Sequence, residues 1–314
     1  MDVTERAPRA LDVCCVADLC ADLILSGNVV PRFGQAEQLI EGYAVEPGGS
    51  GTIFASQFAR LGGRVGLVAT VGEDLFGGFL QEWLASVGID LGRVRRDAAI
   101  KTGIGVSLVK PDGDRGMLTY LGTIDATEPA ALADDVLTGC RHWHVASPFL
   151  LTRLRAYWPE WLARCRAAGL STSLDTNWDP DERWEGVREL LPLIDVFLPN
   201  DAEARAISGE AEIPAAGAAL ARRGPLVVVK CGAEGATAFH KDGRTWRVRA
   251  DVDADGPFPI VDSVGAGDNF DAGFLRAWLR GQDIEACLRL ATRCARASLG
   301  AAGGIQGQLR EDVT

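Results

Sequence analysis

Lysine and histidine are scarce in this sequence. Only four lysines (Lys101, Lys110, Lys230 and Lys241) and three histidines stand among 314 residues; lysine and arginine together number 32 against 43 acidic residues, and the net charge is −11. No basic cluster could track a nucleic-acid backbone or an anionic membrane surface, which excludes both as partners. Long apolar runs are also missing, none approaching the roughly 18 residues of a membrane span. The N-terminal MDVTERAPRALDVCC lacks a basic start followed by a greasy stretch, so no signal peptide is read and a cytoplasmic location is expected. The eight cysteines include no C-x-x-C pair, and in apolar stretches such as VCCVADLC they read as small core hydrophobes. His142 and His144 of HWH would share one face of a strand. The third histidine is distant and no acidic ligand adjoins, so a plain strand is read here rather than a metal site.

What the sequence does contain is an alternation of short apolar runs and amphipathic stretches. Runs at 11–19, 64–72, 142–147, 170–177, 196–200 and 225–232 read as strands, and 51–62, 76–88, 154–169 and 201–208 as helices. Gly62, Gly88 and Gly169 stand where helices would stop. Strands this uniformly apolar are buried on both faces, which predicts a parallel sheet covered by helices, an open α/β sandwich. Two stretches, at about 22–47 and 100–124, instead alternate apolar and polar residues around turn signals at Pro31, Gly34 and PDGD (111–114). They predict β-hairpins with one wet face, a small β lid formed by two insertions in a single domain spanning 1–314. Lids suit enzymes that must exclude water.

Two glycine clusters punctuate this pattern. EPGGSG (46–51) does not fit G-x-G-x-x-G after a strand, and neither it nor VGAGD (264–268) fits G-x-x-x-x-G-K-[ST]. A dinucleotide-dependent oxidoreductase and a P-loop enzyme are thereby excluded. Downstream, Phe270, Phe274, Leu275, Trp278 and Leu279 fall on one helical face, so Gly265, Ala266 and Gly267 precede the first turn. Amides placed there point outward at the positive end of the helix and make an anion hole with no lysine. Asp268 then has two readings. It is a helix cap, or a carboxylate that takes the proton of a hydroxyl attacking a phosphoryl group held by those amides.

In this order the pieces resemble the ribokinase-like (PfkB) carbohydrate kinases over about residues 11–304. GGSGTIFASQFARLGGRVGLVATVGEDLFG is similar to that family's N-terminal signature and DSVGAGDNFDAGF to its C-terminal one. PNDAE (199–203) matches its N-x-x-E element, VKCGAEGA (229–236) its nucleotide-side glycine loop, and DRGMLTYLG (114–122) a lid strand. The resemblance implies a three-layer α/β/α sandwich with a mostly parallel sheet and a small β-sheet lid. It also implies ATP-dependent phosphorylation of a hydroxyl on a small sugar or sugar-like substrate. Asp268 would be the general base, and the amides of Gly265, Ala266 and Gly267 the anion hole for the γ-phosphoryl group. Asn200 and Glu203 would organise Mg2+ and its waters, Lys230, Gly232 and Gly235 would flank ATP, and Asp22, Gly48 and Gly49 would line the sugar pocket. Asp262 and, through its carbonyl, Val264 fall where some relatives bind a monovalent cation, here potassium (K+). An exposed lid strand offers an edge for pairing, so a homodimer through the lid is expected.

The chain departs from the family pattern at Ile53, where relatives usually carry a substrate-binding Asn, at Ala17, often Gly, and at Ser50, where some relatives carry Lys. Asp18 is an extra acid with either a substrate or a capping role. Without a basic residue at position 50, a neutral sugar or a nucleoside is favoured over a sugar phosphate, Arg115 being a further source of charge in the lid. Phe54, Tyr120 and Phe149 are the aromatics a nucleoside could stack on, and each reads as packing. A nucleoside kinase is therefore the alternative within the family. A non-catalytic sensor of sugar or nucleotide rests on Ile53 alone.

Overall fold

The computed structural model describes residues 10–112, 114–251 and 260–311; residues 1–9 and Gly113 of the PDGD turn lie outside them. The chain begins β1 (Leu11–Val16), β2 (Cys20–Ser26), β3 (Gly42–Gly48), α1 (Ser50–Arg60), β4 (Val65–Gly72), α2 (Leu75–Ser86), β5 (Asp90–Asp97), β6 (Gly103–Val109) and β7 (Arg115–Tyr120). It continues α3 (Asp134–Gly139), β8 (Cys140–Ala146), α4 (Trp158–Ala167), β9 (Ser171–Asp175), α5 (Val187–Leu190), β10 (Val196–Phe197), α6 (Asp201–Ser208), α7 (Ile213–Ala221) and β11 (Leu226–Lys230). Last come β12 (Ala236–Phe239), β13 (Thr245–Val248), α8 (Ala266–Leu279) and α9 (Ile284–Ser298).

Nine strands form one sheet in the order β13-β12-β11-β10-β9-β8-β1-β4-β5. Every pair from β11 to β5 is parallel, and only β12 is reversed, pairing antiparallel with both β11 and β13. All eight residues of β4 are buried, as expected for a strand covered on both faces. One core layer packs Trp158 and Trp161 of α4 with Trp143 and Phe197 of the sheet; the other packs Phe54, Phe58, Leu80, Phe274 and Leu288 from α1, α2, α8 and α9. The glycines expected to stop helices, Gly62, Gly88 and Gly169, all take positive φ (71°, 81° and 73°). His142 and His144 bond Ser171 and Ser173 of the neighbouring strand at 2.7–2.8 Å, and burial holds both imidazoles neutral. All eight cysteines are free thiols.

The two polar-alternating insertions form a second, four-stranded sheet, β3-β2-β6-β7, in which β2 and β6 are parallel and flanked by antiparallel partners. The run 11–19 is not one strand. It leaves the main sheet after Val16, turns, and enters the small sheet at Cys20. That turn matters for function, since it sets Asp18 and Asp22 where the two sheets meet. β5 escaped the apolar-run criterion because DLGRVRRD is an edge strand whose residues are half-exposed.

Candidate active site

The site forms at the carboxyl ends of the parallel strands, beside the N-terminus of α8. Gly265 is the N-cap of that helix (φ 69°, ψ 5°), and no side chain caps it. The first-turn amides consequently lack acceptors within the helix and face outward with the positive dipole end. Glycine is required at 265 on two counts. Its φ is left-handed, and an added Cβ would come within 2.8 Å of Gly304 Cα and 3.0 Å of the Ile53 side chain. Asn269 secures the turn by donating to the carbonyls of Gly265 and Gly304, each at 2.8 Å. Ile53 itself is buried beneath this loop, packed on Gly265 and Gly304.

Asp268 stands inside the first turn rather than at the cap, which removes the capping reading. It is buried, and its carboxyl is pushed well above the usual range, first by burial and then by the charge of Asp175. Lys230 opposes that rise and Asp18 adds to it. The Ala266 amide makes only a long 3.5 Å bond to the Ser263 carbonyl, and a buried carboxyl of raised pKa beside amides without intrahelical acceptors combines a proton acceptor with an anion-binding turn.

Asp18 plays the capping part that Asp268 does not. Its two carboxylate oxygens accept from the amides of Ser50 (3.1 Å) and Gly51 (2.9 Å), closing the start of α1. The Gly48–Gly49 pair exists because this start is crowded: a Cβ on Gly48 would fall 2.2 Å from Asp22 Cγ, and one on Gly49 (φ 88°) 2.1 Å from the Asp18 carbonyl. Asp22, between Gly48 and Gly105, is pushed up to about 6, chiefly by burial.

On the other side of α8 lies a cavity of about 630 Å³, with Lys230, Gly232, Gly235, Ala266, Gly267 and Thr292 in its wall. Two sequence motifs more than thirty residues apart, the 230–235 turn and the helix start at 266, thus share one space. The Thr292 hydroxyl has no partner among the described residues. Asn200 and Lys230 end adjacent strands and form a parallel bridge. Asn200 and Glu203 make a reciprocal capping box at α6: Asn200 Oδ1 accepts from the Glu203 amide (2.8 Å), and Glu203 accepts from the Asn200 amide (2.9 Å) and Nδ2 (2.6 Å). Burial and the charge of Asp175 push Glu203 up to about 7. Asp262 accepts from the amides of Val264 (3.0 Å) and Gly303 (2.9 Å), and Arg115 reaches it from β7 at 3.4 Å.

Among the candidate aromatics, Phe54 stacks on His144 at 4.1 Å within the core and Phe149 packs edge-on against Trp184. Tyr120, read as packing, is instead 53% exposed in the small sheet. Asp175 and Asp271, which both bond Lys230, were missed as site residues. Asp175 closes the strand in LDTN and Asp271 lies one turn beyond Asp268, so position in their motifs was the available signal.

A family model for the pfkB family of carbohydrate kinases matches residues 10–310. The chain belongs to that family. It is 33% identical over 283 residues, 90% of each chain, to an ATP-dependent ribose-1-phosphate kinase of Halopiger xanaduensis. It is 29% identical to a nucleoside kinase of Methanothermobacter thermautotrophicus, over 79% of this chain and 76% of that one. A structure of Arabidopsis thaliana ribokinase complexed with ribose and ATP superposes with a TM-score of 0.81 at 23% identity, covering 96% of this chain and 97% of the other.

Proposed function

We propose that this protein is an ATP-dependent kinase that phosphorylates a hydroxyl of a small sugar or sugar-like substrate. The observation that carries the reading is Asp268, buried with a raised pKa inside an uncapped helix start that opens on the cavity shared with the 230–235 turn. Asp268 takes the proton of the acceptor hydroxyl. The hydroxyl oxygen bonds to the γ-phosphorus, the bond to the β-phosphate oxygen breaks, and ADP leaves. The amides of Gly265, Ala266 and Gly267 hold the charge spread over the moving phosphoryl oxygens. ATP lies along Lys230, Gly232 and Gly235. Among the described residues no cluster of side chains would ligate a metal directly, and the Glu203 and Asn200 oxygens are oxygen donors of the kind a hydrated hard divalent ion takes through water. Asn200 and Glu203 would hold Mg2+ through its waters, and the ion would neutralise phosphate charge.

The sugar lies against Asp22, Gly48 and Gly49. Ser50 brings no charge to a substrate phosphate and its amide already bonds Asp18, while Arg115 is engaged with Asp262. A neutral sugar or nucleoside therefore fits better than a sugar phosphate, and the kinship with a ribose-1-phosphate kinase makes this the contrast to test. The eight free thiols suit a reducing cytoplasm. β7, whose six residues are all exposed, offers its open edge to a second copy; sedimentation giving a monomer at working concentration would remove the homodimer.

The test is ADP release from ATP and Mg2+ with a panel of neutral sugars, sugar acids, sugar phosphates and nucleosides, with Asp268→Asn alongside. Turnover of one panel member, lowered on the order of 10²-fold or more in the variant, is expected. Silence across the panel with ATP still bound would favour a sensor.

A further inference from the structure

Lys230 does not end free in the nucleotide cavity. Its ammonium donates to Asp175 at 2.9 Å and to Asp271 at 3.1 Å, and the side chains of the lysine and the two acids are 12%, 3% and 1% exposed. The other Asp175 oxygen accepts from the Asn177 amide at 3.1 Å. Nζ also lies under the anion-hole loop, 3.4 Å from where a Cβ on Gly267 would stand. The three residues tie together the ends of β9 and β11 and the second turn of α8. Three ammonium donors with two carboxylate partners and a neighbouring phosphate-binding turn describe a fixed charge rather than a mobile ligand-gripping side chain.

We propose that Lys230 is a positioning residue for the phosphoryl transfer: clamped by Asp175 and Asp271, it supplies the fixed positive charge that allows Asp268 to exist as an anion among its acidic neighbours and holds the helix start at its angle to the strands. The proposal rests on the assignment of Asp268 as base. The groups facing Asp268 come from several elements: Cys15 on β1, Asp18 after it, Ser50 at the start of α1, Asp175 on β9, Lys230 on β11 and Asp271 on α8 itself. Burial opposes the charge on Lys230, but Asp175, Asp271 and Glu203 outweigh it and keep the amine protonated. Burial and the charge of Asp175 push Asp271 up while Lys230 opposes the rise, and Asp175 is held low chiefly by Lys230 against its burial. Around Asp268, Lys230 and Asp175 therefore act in opposite directions.

That opposition supplies the test. Protein labelled with 13C at the aspartate carboxyls is titrated as wild type, Lys230→Met, Lys230→Arg and Asp175→Asn, with Asp268→Asn assigning the resonance. Lys230→Met is expected to move the Asp268 titration upward by about one pH unit or more, Asp175→Asn to move it downward, and Lys230→Arg to leave it near wild type. With an active panel substrate, the acid limb of kcat/KM should follow the same three directions. Should Lys230→Met fail to fold, the downward shift in Asp175→Asn decides. An Asp268 resonance unmoved by either charge change, or moved the same way by both, overturns the proposal. The resonance reads out without substrate, so a chain that titrates as expected yet phosphorylates nothing would count against the kinase reading and not against this charge arrangement.

Discussion

Replacing Gly265 by alanine separates the demands of the anion-hole turn from those of the helix behind it. At φ 69° an alanine pays a left-handed penalty of roughly 1–2 kcal/mol. Its methyl would meet Gly304 Cα at 2.8 Å and Ile53 at 3.0 Å. Gly304 cannot retreat freely, because its carbonyl accepts from Asn269 and from Gln308. Overpacking of this kind adds about 1 kcal/mol or more, so Gly265→Ala should lose about 2–4 kcal/mol in urea denaturation. Displaced amides should also lower kcat on the order of 10²-fold, the effect of losing one oxyanion donor. Gly267→Ala is the control. It lies inside the helix, and its methyl would meet only the Lys230 ammonium at 3.4 Å, so stability should stay within about 0.5 kcal/mol of wild type. If Gly265→Ala proves as stable as Gly267→Ala, or keeps full kcat, the account of the turn is wrong.

Three further outcomes are expected. Asp22, with a folded pKa near 6 against an ordinary value of 3.8, prefers its protonated form in the folded chain; its destabilising charge is absent below pH 4 and complete above about pH 6. Asp22→Asn should thus raise Tm at pH 7.5 relative to wild type, with the gain vanishing toward pH 4, while the KM for the sugar rises; a pH-independent difference would refute the linkage. Arg115→Ala should change stability by less than about 1 kcal/mol, since the arginine is partly solvated, yet raise the acceptor KM by loosening β7 from the Asp262 loop. A monovalent cation on Asp262 and the Val264 carbonyl would share its carboxylate with Arg115. Activity compared in potassium and in sodium chloride tests that site, and equal rates would discard it.

Much of the main sheet was legible because a strand buried on both faces must be apolar throughout, as in VGLVATVG of β4. The small sheet was legible from its alternation for the complementary reason, one face being wet. The break of 11–19 was hidden because Ala17 and Leu19 are as buried as the strand before them, so hydropathy does not register the chain's change of sheet. β10 was overextended because Leu198 and Pro199 stay buried beyond the two residues that keep strand pairing. At the site, Asp268 and the glycines were found by motif, but the exchange of roles between Asp18 and Asp268 was not. Capping depends on which carboxylate reaches which amide, and Asp18 lies 32 residues from Ser50. The Lys230 cluster draws on three separate stretches of chain, so no local pattern announces it.

The chain crosses from β1 in the main sheet to the small sheet in three residues and returns through Gly48 directly into α1. Asp22 consequently travels with the small sheet, whereas Gly265, Asp268 and the nucleotide cavity belong to the large one. On the proposed reading, acceptor and donor are held by different sheets, and a sugar seated on the small one brings a nucleophile to the large one. A water molecule has no such carrier, so the architecture itself discourages idle hydrolysis of ATP.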